Sequence, residues 1–193
     1  MPSEGVRTLC DFADGLEKRG VPFVVGGSVA SSAWGQPRST HDVDVLVRLK
    51  LEEVAGLAAE LARRFLVDEE LMRSAVRRAR AFNAIHSELF HKVDVFVAGQ
   101  SALDAAQLER PVLRRLASDM ERNFPVTAPE VLVLRKLDWF RKGDHTSQRQ
   151  WHDVLAVLRV QGERLDRGWM EALAGECGLA DLLERAGREA RGQ

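Results

Sequence analysis

Cysteine is nearly missing from this chain: Cys10 and Cys177 are the only two in 193 residues. They cannot build a disulfide framework, and no paired Cys/His spacing marks a structural zinc, so a reduced cytoplasm is the expected compartment. Long apolar runs are absent as well. None approaches the roughly 20 residues that span a bilayer, and the amphipathic, acid-bearing start of the chain does not read as a signal peptide. The sequence is therefore expected to be soluble and free of membrane. Nor is there an excess of charge: 28 Lys+Arg stand against 29 Asp+Glu, a formal net of -1. That balance argues against a protein that coats nucleic acid by bulk electrostatics, though a local basic patch remains open. Lysine is the scarcer cation, limited to Lys18, Lys50, Lys92, Lys136 and Lys142, so each one is worth following. Against these absences, 45% hydrophobic and 30% charged residues fit a globular protein and exclude a disordered one.

The hydrophobic pattern divides the chain in two. Ser3 caps a first helix with Val6, Leu9, Cys10, Ala13 and Leu16 along one face and Gly20 as its stop. A short strand, Phe23-Val24-Val25, runs into Gly26-Gly27-Ser28 and a small-residue helix ending at Gly35. A loop through Arg38 and Thr40 leads to a strand over 41–47. The pattern then predicts helices over 51–65 and 69–80, weak alternation over 81–87, a clear strand over 91–97, a helix near 100–109 and a strand near 111–117. Phe124-Pro125-Val126 reads as a boundary. Thr127-Ala128-Pro129-Glu130 carries a capping-box signature with proline in the first turn, and helices follow near 129–142, 147–161, 166–176 and 179–190. The expected organisation is a mixed α/β domain over 1–124 and a helical domain over 125–193, packed as one unit.

The chemistry concentrates in carboxylates. Because strand period is two, Asp42 and Asp44 point to one face, with Cα atoms about 6.6 Å apart. Two carboxylates so placed suit hard divalent cations, magnesium above all when phosphate oxygens complete the shell. The segment His41-x-Val43-Asp44-Val45-Leu46-Val47 is echoed by His91-x-Val93-Asp94-Val95-Phe96-Val97. If the two strands are neighbours, Asp94 joins Asp42 and Asp44, and three clustered acids call for a cation. Upstream, Gly26-Gly27-Ser28 sits between strand and helix. There, backbone N–H groups and a helix N-terminus can meet a phosphate; a plain serine-capped turn is the competing reading.

Taken together, Gly26-Gly27-Ser28, Gly35, Arg38, Thr40 and Asp42-x-Asp44 resemble the signature of the nucleotidyltransferase superfamily with a polymerase-β-like palm. Two glycines before the serine and an Arg-x-Thr before the acids resemble the minimal bacterial branch of AbiEii-type toxin nucleotidyltransferases. The loop is also similar to small aminoglycoside nucleotidyltransferases. The resemblance implies an α+β fold: a palm of mixed sheet and flanking helices, followed by a C-terminal helical bundle. It implies an enzyme that moves a nucleoside monophosphate from an NTP such as ATP to an acceptor hydroxyl, with two magnesium ions on Asp42 and Asp44. Asp94 would bind the second ion or take the acceptor's proton. Gly26, Gly27 and Ser28 would surround the distal phosphates. Lys136 would reach the triphosphate, with Asp153 assisting it and Arg149 nearby, and Arg38 would orient the loop or meet a phosphate. An RNA or tRNA end in a toxin-like role, with a cognate antitoxin, is the acceptor this branch implies. A small molecule such as an aminoglycoside, or a degenerate palm that only binds nucleotide, are the alternatives.

Two further features stay open. Arg73, Arg77 and Arg80, with Arg78 beside them, form a basic helical stripe that either tracks RNA phosphates or simply faces solvent. Trp139 and Phe140 either stack on a base or pack in the core.

Overall fold

The computed structural model describes residues 3–37, 40, 42–118 and 120–192. Arg38 and His41, both singled out by the sequence, lie outside the described residues. Helix α1 (Glu4–Lys18) starts at Ser3, whose hydroxyl accepts from the Val6 N–H. The first strand and helix are β1 (Phe23–Val25) and α2 (Gly27–Trp34). After them come β2 (Asp42–Val47), α3 (Val54–Leu61), β3 (Phe65–Leu66), α4 (Glu69–Arg78), β4 (Ala81–His86) and β5 (Lys92–Val97). Helix α5 (Ala102–Glu109) and strands β6 (Pro111–Arg115) and β7 (Asn123–Thr127) precede four helices: α6 (Pro129–Lys142), α7 (Gln148–Gln161), α8 (Arg167–Glu176) and α9 (Ala180–Ala190). The architecture is α+β, with helices flanking the sheet and filling the C-terminal part of the chain.

Among the described residues the strands form one seven-stranded mixed sheet in the order β3-β4-β5-β2-β1-β7-β6. β2 and β5 run parallel, as do β1 and β7, and the other neighbours are antiparallel. Strand alternation sorts the faces. Val43, Val45 and Val47 of β2 and Val93, Val95 and Val97 of β5 are buried on one face, beneath α1, α3 and α4. Asp42, Asp44, Lys92, Asp94 and Phe96 take the other. One hydrophobic core runs from Phe12 and Leu16 of α1 through Val131 and Leu134 of α6 to Leu183 and Ala186 of α9. The two parts of the chain thus share their buried surface.

Several local expectations are corrected. The helix expected over 51–65 is a 3-10 turn over Leu51–Glu53 followed by α3. It ends early because Phe65 and Leu66 pair with His86 and Ile85 in the sheet. The Phe124–Val126 segment, which reads as a boundary in sequence, is the middle of β7, paired with β6 and with β1 at Val25↔Val126. Thr127 does not cap α6. Its hydroxyl donates to the Val25 carbonyl and accepts from the Gln107 amide, both at 2.9 Å, while Glu130 accepts the Asp166 N–H at 2.9 Å. The arginine stripe is broken as well. Ala79 closes α4 in the left-handed region (φ 46°) and Arg80 leaves the helix, while Arg73 is held by Glu69.

Candidate active site

Parallel pairing of β2 with β5 sets Asp44 directly beside Asp94 and Asp42 beside Lys92. Neighbouring strands lie about 4.8 Å apart, so three carboxylates and one ammonium share a small patch of the open face. Antiparallel pairing of β4 extends the row, placing Asn83 beside Asp94. The Lys92 ammonium lies 3.0 Å from Asp94 Oδ2 and 3.6 Å from Asp42 Oδ1. With its amide turned so that nitrogen faces the acid, Asn83 donates to Asp94 Oδ1 at 2.6 Å. Both oxygens of Asp94 therefore accept hydrogen bonds from side chains of its own sheet. The Asp94 hydrogen bond, with help from Asp42, raises the Lys92 pKa and keeps this ammonium charged.

Asp44 is fixed from the other side. Gly27 takes φ +53°, and a Cβ there would sit 1.7 Å from Asp44 Oδ2. The glycine is thus a spatial requirement: only a residue without a side chain lets the start of α2 press against this carboxylate. The Gly26 N–H donates to the Asp44 carbonyl at 2.9 Å, and the Ser28 N–H approaches Asp44 Oδ2 at 3.4 Å. Burial pushes the Asp44 carboxyl upward in pKa. The Ser28 N–H and Lys136 pull against the rise, while Asp94 and Asp42 add to it. A cation at this point would relieve both the burial and the repulsion.

Donor chemistry fits a hard divalent ion, since Asp42 and Asp44 offer carboxylate oxygens on one face of the sheet. Yet no group of three His, Cys, Asp or Glu side chains among the described residues is gathered closely enough to hold a metal. Asp94 faces Lys92 and Asn83 instead.

Beside the acids opens a cavity of about 890 Å³. Gly26, Gly27, Ser28, Asp42, Asp44 and Lys136 all line it. Lys136 is buried and donates to Asp153 at 2.8 Å and to Gln150 at 3.0 Å. Asp153 stands behind it, on α7, and reaches the cavity through that pair. Arg149 donates to Ser28 Oγ at 2.9 Å, joining α7 to the first turn of α2. Trp139 forms an aromatic wall, tilted on Phe96 with centroids 5.4 Å apart and partly exposed; Phe140 is core.

Asp104, Gln107 and Arg135 of the cavity escaped the sequence reading, and Arg80 and Lys142 were named there without a place in the site. Arg80, Arg135 and Lys142 join Lys136 and Arg149 in the lining, against the acids Asp42, Asp44 and Asp104. Arg135 is tied to Asp104 at 2.5 Å and to Gln107 at 3.1 Å, and Gln107 in turn binds Thr127. Periodicity could not expose this chain of contacts, because its members come from α5, β7 and α6. Lysine scarcity had at least flagged Lys92, Lys136 and Lys142, and all three stand at or beside this cavity.

No protein-family model matches the chain, and no curated protein matches it in sequence. Solved structures do resemble it. The solution structure of the antibiotic-resistance factor ANT(2'')-Ia shares 15% identity at a TM-score of 0.55, covering 95% of this chain and 97% of that one. The crystal structure of ANT(2'')-Ia in complex with adenylyl-2''-tobramycin shares 12% identity at a TM-score of 0.57, over 90% and 99% of the two chains. An antigenic nucleotidyltransferase-like protein from Paracoccidioides brasiliensis shares 13% identity at 0.53, over 95% and 94%. Across nearly its whole length, this chain has the fold of these nucleotidyltransferases.

Proposed function

We propose that this protein is a nucleotidyltransferase that moves a nucleoside monophosphate from an NTP to an acceptor hydroxyl on an RNA, such as a tRNA end. The observation that carries the reading is the row Asp42, Asp44 and Asp94, aligned across β2 and β5 beside Gly27-Ser28 and the cationic cavity. Magnesium, held by Asp42 and Asp44, would supply Lewis-acid stabilisation of the oxygens around the α-phosphorus. Lys136 meets the triphosphate as a fixed positive charge, kept in place by Asp153 and Gln150. Arg149 and Ser28 bind the distal phosphates. Asp94, held by Lys92 and Asn83, takes the proton of the acceptor hydroxyl. The hydroxyl oxygen forms a bond to the α-phosphorus, the bond to the bridging oxygen breaks, and pyrophosphate leaves with that electron pair.

Charge favours an anionic acceptor. Arg80 and Lys142 also line the cavity, where added positive charge favours a phosphate backbone and repels a polycation. A small hydroxylated molecule such as an aminoglycoside is the second reading, favoured by the likeness in fold to ANT(2'')-Ia. The toxin-like role and a cognate antitoxin rest on the motif resemblance alone. An NTP substrate together with the free thiols of Cys10 and Cys177 suits a cytoplasmic setting.

The test is label transfer from each NTP, with magnesium, to bulk tRNA or to a panel of aminoglycosides. Transfer to tRNA that vanishes in Asp44→Ala is the expected result. Transfer to small molecules alone would replace the RNA reading with the second. Nucleotide binding without transfer to either would make the palm a binding module.

A further inference from the structure

The open face of the sheet carries its own cation. Lys92 is placed there by register: it stands opposite Asp42 on β5 and two residues before Asp94, so its side chain rises on the same face as both acids. Its ammonium lies between them, 3.0 Å from Asp94 and 3.6 Å from Asp42. The second oxygen of Asp94 is engaged by Asn83 from the next strand. A divalent ion shared by Asp42 and Asp94 would have to displace the ammonium, or approach it as a like charge. The Asp42–Asp44 edge, by contrast, faces the cavity where the triphosphate is proposed to lie. Charge arithmetic agrees. Three carboxylates and one ammonium leave two negative charges on the patch, which a single divalent ion neutralises.

We propose that the Lys92 ammonium is a built-in cation that takes the place of one of two divalent ions, so that the chain binds a single divalent ion per nucleotide, at Asp42 and Asp44. The inference rests on the transferase reading. Under it Asp94 is a base positioned by Lys92 and Asn83 rather than a metal ligand, and Lys92 is a positioning residue.

Manganese binding tests this without turnover. The full chain is titrated with Mn²⁺ in the presence of a saturating non-hydrolysable NTP analogue. Bound ion is counted by electron paramagnetic resonance of the free ion, and bound nucleotide by calorimetry. Wild type is expected to hold one Mn²⁺ per bound nucleotide. Lys92→Met is expected to hold two, and Lys92→Arg, which keeps the charge, one. Lys92 is more than a third exposed, and thermal melting confirms that both variants are folded; Lys92→Gln replaces the methionine variant if that one is not. Two ions on the wild-type protein, or one on folded Lys92→Met, would overturn the inference and leave the transferase reading intact. No nucleotide-dependent manganese on any of these proteins would remove both.

Discussion

Lys136 offers the sharpest separation of structure from function, because it is buried against Asp153 between α6 and α7 and also faces the cavity. Both side chains are about 6% exposed and their charged atoms lie 2.8 Å apart. Replacing Lys136 by methionine preserves length and apolar packing but takes the ammonium away from the buried Asp153 carboxylate. Leaving one half of a buried pair costs about 3–5 kcal/mol. For a chain of this size each kcal/mol moves the melting temperature by roughly 2–4 °C, so a fall of roughly 6–20 °C is expected. Removing both charges, as Lys136→Met with Asp153→Leu, ends the desolvation penalty and should restore stability to about the wild-type level or above. Nucleotide binding should not return, since the charge proposed to meet the triphosphate is gone. The assays are thermal unfolding by circular dichroism and calorimetric titration with NTP. At least a tenfold loss of affinity is expected in the stable double variant. A single variant that melts within 2 °C of wild type would refute the burial argument. A double variant that binds NTP normally would refute the functional one and make the pair purely structural.

Gly27→Ala forces a left-handed backbone on a residue with a side chain and drives its Cβ into Asp44. About 1–3 kcal/mol of stability should be lost, together with roughly 10²-fold in transfer rate through the displaced carboxylate; unchanged melting and single-turnover rates would count against the reading. Asp44→Asn tests the raised carboxyl. Burial, with Asp94 and Asp42 adding to it, makes the folded state hold this proton more tightly than the unfolded state does. Stability therefore falls as pH rises from the ordinary carboxylate range through the raised pKa, and stays lower above it. Without metal the asparagine variant should melt higher at neutral pH, and the gap should close in acid; a lower melting point at neutral pH would contradict this. Asp138 has the opposite sign. Burial alone would raise its pKa, but hydrogen bonds from Lys142 and Arg141 outweigh it and hold the carboxyl below its usual range. Its contribution is present at neutral pH and lost as pH falls through the depressed value, so Asp138→Asn should flatten the acid limb of a pH–melting profile. Thr127→Val leaves the Gln107 amide and the Val25 carbonyl without their shared hydroxyl, and a loss of about 1–3 kcal/mol should appear in a urea titration.

Much of this molecule is written in short-range pattern. Ser3 announces its helix because a hydroxyl ahead of an amphipathic run satisfies a helix-start N–H. The two valine-and-aspartate strands declare both faces because side chains alternate with period two. Asp42 and Asp44 had to share a face once their segment was a strand, and Gly27 marks a place where the backbone needs room.

The partners across the fold carry no such local mark. Proline disfavours a sheet strand, and the segment around Pro125 reads as a boundary rather than as β7. Among the described residues its neighbour β1 shares one ladder pair with β7, Val25↔Val126, so that β1 demands no ladder bond of the proline. Thr127 has the local grammar of a cap, yet β7 carries it to Gln107 and Val25, and two hydrogen bonds at 2.9 Å outcompete one to its own helix. Cysteine scarcity, charge balance and missing apolar runs narrowed the class of protein, and the rarity of lysine pointed to the residues to watch. Which charges those lysines meet was decided in three dimensions. Only the parallel register of β2 with β5 sets the Lys92 ammonium between Asp42 and Asp94, and only the packing of α6 on α7 buries Lys136 against Asp153. Sequence period fixes the face on which a charge emerges; register and helix packing choose the charge it meets there.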